Sequence, residues 1–150
     1  MYNAFPDLPT AYDSVPGYTS RRDVGFYVAE AEGIRGPILE VGCGTGRVLL
    51  PIVRRGSTIV GLDSSRPMLD RCRKRLAEEE ESVQKRVTLH EGDVRTFNLD
   101  RKFALVIAPF RVVQHLITIE DQLSFLASSS ATCFPADAWC SMSSIRTSPG

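Results

Sequence analysis

Glycines stand at every second position in Gly42-Cys-Gly-Thr-Gly46, directly after the apolar run Pro37-Ile-Leu-Glu-Val41. Glycine at that spacing lets a backbone turn tightly and approach a ligand where a Cβ would collide. Carboxylates accompany it. Glu40 precedes Gly42 by two residues, Asp63 follows Gly46 by seventeen, and Asp93 lies in Gly92-Asp-Val94. An acid on one strand tip can accept both hydroxyls of a ribose, and an acid after the next strand can accept from an adenine amino group. The chemistry within reach is recognition of a nucleotide-like molecule.

These groups need a sheet to hold them. Ile38–Val41, Thr58–Asp63, Val87–Glu91 and Phe103–Ala108 read as strands, the last wholly apolar. Helical spacing follows the first from Arg47 to Arg55, with Gly56 as its stop. Ser64-Ser65 caps a second helix, with Pro67 in its first turn, running to about Lys85 along Met68, Leu69, Cys72 and Leu76. Its charges from Arg71 to Glu81 read as a solvated face with opposite signs at i,i+4. Another amphipathic helix begins at Asp121 and holds its period to about Ala127. Short connections in the order β-α-β-α-β-β-α predict an α/β fold, a doubly wound parallel sheet with helices on its faces. Ahead of it, Asp23–Ala31 reads as a helix, and residues 2–20, with Pro6, Pro9 and Pro16-Gly17, as loop or short turns. Tyr12 and Tyr18 are candidate lid aromatics, with plain packing as the alternative.

The totals narrow the classes. Lys+Arg 18 balances Asp+Glu 18, so no global field favours nucleic acid or an anionic membrane. No apolar run approaches the roughly 20 residues of a membrane span, and the N-terminus lacks the pattern of a signal peptide. Cys43, Cys72, Cys133 and Cys140 have no metal-ligand spacing and read as free thiols in a reducing cytoplasm.

The ligand can be narrowed further. A phosphate loop would need a Lys after its glycines, and a dinucleotide fold prefers G-x-G-x-x-G. Here the spacing is G-x-G-x-G, and Glu40 would repel a pyrophosphate while suiting an ammonium and a sulfonium. Glu40-Val-Gly-Cys-Gly-Thr-Gly46 resembles the first motif of class I S-adenosylmethionine-dependent methyltransferases. Val60-Gly-Leu-Asp-Ser64 with Pro67-Met-Leu69 resembles the second. Gly92-Asp-Val94 is similar to the adenine-contacting turn, and Phe103 to Leu116 to the strand before the substrate. The resemblance covers about Tyr12 to Leu126, departing at Ala104, where the family often has Asp.

The resemblance implies a Rossmann-like core over 37–126 binding S-adenosylmethionine, preceded by a lid and helix over 1–36 that include Tyr18. Gly42, Cys43, Gly44 and Gly46 would meet the methionine part, with Glu40 near its amino group. Asp63 would hold the ribose, Ser64 and Met68 line the adenine, and Gly92, Asp93 and Val94 fix its edge. Ala108 and Phe110 would border the methyl group. The plainer alternatives are a tight turn for the glycines, a helix cap for Asp63, and core for Met68 and Cys43. Arg111 and His115 are the candidates to face the acceptor; surface pairing and helix capping are the alternatives. The implied activity is methyl transfer to a small-molecule acceptor, with no nucleic acid or membrane partner. The alternatives are a cofactor-binding remnant without turnover, or a nicotinamide oxidoreductase, which Glu40 and the glycine spacing disfavour.

Beyond Leu126 the helical and strand periods fade, so residues 127–150 read as an aberrant or disordered tail and the sheet as truncated after its fourth strand. Codons read one base out of register permit H-L-L-P-G-G-R-L-V-F-D-V-F-N-P-D across Ala131 to Thr147, the helix end, turn and strand that the family resemblance requires. The expectation is a slipped frame near residues 126–131, with a Ser-rich low-complexity tail as the alternative. A fourth strand left as an edge would favour self-association.

Overall fold

The computed structural model describes residues 7–16, 22–109, 112–134 and 142–143. Strands β1 (Ile38–Val41), β2 (Ile59–Asp63), β3 (Val87–Glu91), β4 (Leu105–Ile107) and β5 (Met142–Ser143) form one sheet in the order β3-β2-β1-β4-β5. Every pairing is parallel, with Glu40 of β1 between Gly61 of β2 and Ile107 of β4. All strand tips that follow a C-terminus therefore lie along one edge, where open α/β sheets hold their ligands.

Helices α1 (Leu8–Ser14) and α2 (Asp23–Ala31) precede the sheet. Helix α3 (Leu49–Arg54) follows the glycine turn, and α4 (Arg66–Ala77) and α5 (Glu81–Gln84) separate β2 from β3. A 3-10 turn, Val113–His115, leads into α6 (Ile119–Thr132). The strands alternate between two cores. Ile38, Ile59, Leu105 and Ile107 pack with Tyr27, Leu49, Leu50, Ile52 and Leu69 on one face. Leu39, Val41, Val60, Leu62 and Val106 pack with Phe97, Phe103 and Phe125 on the other. Burial on both faces is why β1 and β4 are continuously apolar apart from Glu40.

Five expectations need correcting. The first segment is not all loop: α1 forms with Pro9 at its start, where a missing N–H does no harm. The helix after β2 does not run on to Lys85. It stops at Ala77 and restarts at Glu81 after the acidic Glu78-Glu79-Glu80. Helix α6 continues through Ser128-Ser129-Ser130, because Ser129 and Thr132 are buried against the sheet and the chain after it pairs with Phe103. Nor is β4 a bare edge, since Met142 and Ser143 pair with Val106 and Ile107. Of the cysteines, Cys43 and Cys72 are free, as expected, whereas Cys133 is disulfide-bonded. Cys140 lies outside the described residues.

Among the described residues, no helix is long and apolar enough to cross a membrane, and no group of His, Cys, Asp and Glu could hold a metal ion.

Candidate functional site

A cavity of about 280 Å³ opens at the C-terminal ends of β1, β2 and β3. Its floor is the glycine turn. Gly42, Gly44 and Gly46 have φ of +72°, +54° and +83°, a region that side chains with a Cβ rarely occupy. The three glycines do different things. A Cβ on Gly42 would stand 2.4 Å from Val112 Cγ2, so this position lets the segment after β4 close over the turn. A Cβ on Gly46 would stand 2.8 Å from Cys72 Sγ, so this one seats α4. Gly44 uses its N–H: it donates to Asp63 Oδ2 over 2.8 Å.

Asp63 is the hinge of the site. Its other oxygen accepts the Ser65 N–H at 2.8 Å, which orders the start of α4. Ser65 stands at the N-cap, but its own side chain makes no capping bond, so Asp63 does the work expected of the serines. Burial raises the Asp63 pKa, against the pull of the N–H groups of Ser65, Gly44 and Ser64.

Glu40 is nearly sealed off, at 2% exposure, and its Oε2 is buried with no hydrogen-bond partner. Burial lifts its pKa well above the usual range. The Arg47 charge opposes that lift, while the charges of Asp63 and Asp23 add to it. An orphaned carboxylate oxygen in a cavity wall is costly unless a cation reaches it. Arg47 is engaged by Asp23, with paired bonds of 2.7 and 2.8 Å. Cys43 is buried beside Glu40, and burial together with that carboxylate pushes its thiol well up, so it packs rather than reacts.

Asp93 is on the wall, but Arg95 holds it, through both its backbone N–H and its guanidinium. Arg95 also reaches Asp121 at the start of α6. The Arg95 hydrogen bond lowers the Asp93 pKa.

Glu40, Gly42, Cys43, Gly44, Asp63, Ser64, Met68, Asp93, Val94 and His115 all line the cavity. Gly46, Gly92 and Ala108 do not; a Cβ on Gly46 would meet Cys72, one on Gly92 would stand 3.0 Å from Leu62 Cδ1, and Pro109 takes the wall position beside Ala108. Tyr18, Phe110 and Arg111 lie outside the described residues. Tyr12, noted as a lid candidate, is on the wall. Sequence reasoning missed Arg47, Val48, Arg95, Val112 and Leu116. Arg47 and Arg95 had a signal available, an arginine within two residues of a motif acid or glycine.

The glycine turn, the buried acid before it and the acid on the next strand tip coincide with a family match. Residues 38–135 match the family model described as a methyltransferase domain. The chain belongs to that family. It is 33% identical over 124 residues to a dTDP-3-amino-3,4,6-trideoxy-alpha-D-glucopyranose N,N-dimethyltransferase of Streptomyces venezuelae, covering 73% of this chain and 49% of that protein. Among solved structures it resembles the glycopeptide N-methyltransferase MtfA complexed with S-adenosyl-L-methionine. That match has 30% identity and a TM-score of 0.71 over 78% of this chain and 50% of that one. It also resembles S-adenosylmethionine-bound CalS10 of Micromonospora echinaspora, an amino pentose methyltransferase. Here the identity is 29% and the TM-score 0.64, over 86% of this chain and 51% of that one. The chain thus spans about half the length of the relatives it matches.

Proposed function

We propose that this chain binds S-adenosylmethionine and serves its transfer of a methyl group to a small-molecule acceptor. The observation that carries the reading is Glu40 Oε2, a buried oxygen with no partner in the wall of a glycine-floored cavity. The cofactor brings a methyl already activated on a sulfonium. The protein's part is alignment and exclusion of water. Glu40 faces the positive charges of the methionine part, and the glycine turn admits that part close to the backbone. Asp63 accepts from the ribose hydroxyls while keeping the Gly44 and Ser65 N–H groups. Met68, Val94 and the Asp93 turn, which Arg95 stiffens, flank the adenine. His115, which lines the cavity, is the first candidate to face the acceptor, with Arg111 as the second.

The relatives named as N,N-dimethyl- and N-methyltransferases support a nitrogen acceptor on a sugar or glycopeptide. Calorimetric titration with S-adenosylmethionine and with NAD tests the cofactor. Transfer of a labelled methyl to a panel of amino sugars and glycopeptides tests the reaction, with H115A expected to lower kcat and leave cofactor affinity alone. Cofactor binding without turnover is the second reading. Binding in the first assay and silence in the second would select it.

A cytoplasmic setting fits the free thiols of Cys43 and Cys72 and is opposed by the bridged Cys133. Self-association through β4 loses ground where β5 pairs with it, and sizing chromatography tests it.

A further inference from the structure

Helix α1 reaches the site through a charged side chain. It has seven residues, too few to be stable alone, and its N-cap makes no side-chain bond. Pro9 is buried, but Ala11, Ser14 and Val15 face solvent. Asp13 ties the helix to the glycine turn and to α4. Its Oδ1 accepts from the Thr45 hydroxyl at 2.7 Å, and its Oδ2 accepts from Arg71 Nε at 2.9 Å. Arg75 Nη1 lies 3.8 Å from Oδ1 and donates to the Thr45 carbonyl over 2.9 Å. Thr45 is fully buried between Gly44 and Gly46. One carboxylate therefore joins α1, the glycine turn and α4, and its sequence neighbour Tyr12 stands in the cavity wall.

We propose that Asp13 is a positioning residue for the cofactor, a latch that holds α1 and Tyr12 closed over the glycine turn. This rests on the cavity being the cofactor site. The latch works in two directions. With Asp13 seated, Thr45 and the floor of the cavity are held in place and Tyr12 completes the wall. With Asp13 removed, Arg71 and Arg75 repel each other and α1 swings free. Segments held by few apolar contacts open locally at small free energy, so the loss falls on ligand retention rather than on the fold. Because the latch is made of charges that are partly open to water, salt weakens it.

The experiment uses the full chain, with S-adenosylmethionine titrated by calorimetry and amide exchange followed over residues 8–16. The expected result is that D13A weakens the cofactor about tenfold, as loss of a charge-assisted hydrogen bond does, and speeds α1 exchange in the free protein. Wild-type affinity falls with added salt, and D13A shows a weaker dependence. D13N, which can still accept from Thr45, falls between them. The double variant D13R/R71D regains part of the affinity that either single exchange loses, which assigns the effect to the Asp13–Arg71 pair. Should D13A fail to fold, R71M interrupts the same latch from α4 and takes its place. Wild-type binding with unchanged D13A and R71M affinity, or unchanged α1 exchange, overturns the latch alone. A wild-type chain that is folded and has no affinity for the cofactor overturns the cofactor reading, and the latch with it.

Discussion

The Gly44 N–H donates to Asp63 Oδ2 over 2.8 Å, so the tip of β2 holds the glycine turn that follows β1. The same carboxylate takes the Ser65 N–H, and one side chain thereby sets the start of α4 as well. Substitution by Ala orphans both donors at once. D63A is expected to lose about 2–4 kcal/mol of stability, from hydrogen bonds to a charged acceptor at about 1.5–3 kcal/mol each, part of which water restores. D63N, which keeps one acceptor oxygen, loses less. Chemical denaturation of the three proteins reads the order.

Glu40 makes stability depend on pH in an unusual direction. Its pKa in the folded chain lies well above the ordinary 4.5. The folded state therefore keeps a proton that the unfolded chain has released, and stability falls as pH rises through that window. It is full below the unfolded value and is lost by the folded one. E40Q carries no such proton. Its melting temperature is expected to be flatter over the same pH range and higher than wild type at neutral pH. The same variant should bind S-adenosylmethionine about tenfold or more weakly, since it lacks the carboxylate proposed to face the sulfonium and ammonium. Parallel thermal melts and titrations at several pH values check both halves.

Gly46 and Gly56 separate strain from collision. Both have positive φ, +83° and +102°, but a Cβ at Gly46 meets Cys72 Sγ at 2.8 Å whereas Gly56 has nothing within 4 Å. G56A is expected to show backbone strain alone, about 1–3 kcal/mol. G46A adds overpacking of about 1–3 kcal/mol. The double variant G46A/C72A should recover most of the second part and none of the first. Additivity of G46A and C72A in denaturant melts would mean that the contact carries no energy.

Much of this was legible in the chain. The strands were, because residues buried on both faces must be apolar and Ile38–Val41 and Leu105–Ile107 are, apart from Glu40. The glycine turn was, because positive φ selects glycine. What stayed hidden was non-local. Asp13 gives no local sign of its partners at Thr45, Arg71 and Arg75, and a prolyl, tyrosine-rich segment reads as loop until something distant pins it. Helix α6 persists through a serine run because Ser129 and Thr132 face the sheet, a tertiary fact that overrides weak propensity. Arg95 sat two residues from Asp93, close enough to suspect, yet its second partner, Asp121, is on α6.

The thiols should report the fold by their silence. Burial pushes Cys72 up to about 12 and Cys43 well above its usual value, so at pH 8 neither holds appreciable thiolate. Cys133 is bridged and cannot be alkylated until it is reduced. Iodoacetamide on the native protein should therefore leave all three of these cysteines unmodified. With reductant, Cys133 becomes a free thiol and joins the cysteines that can label. Cys43 and Cys72 should label only as denaturant unfolds the chain, and cofactor should shift that transition to higher denaturant by stabilising the folded state. Peptide mass spectrometry after quenched alkylation reads each site. Early modification of Cys43 would place a thiolate in the glycine turn, and the packing role assigned to it would be wrong.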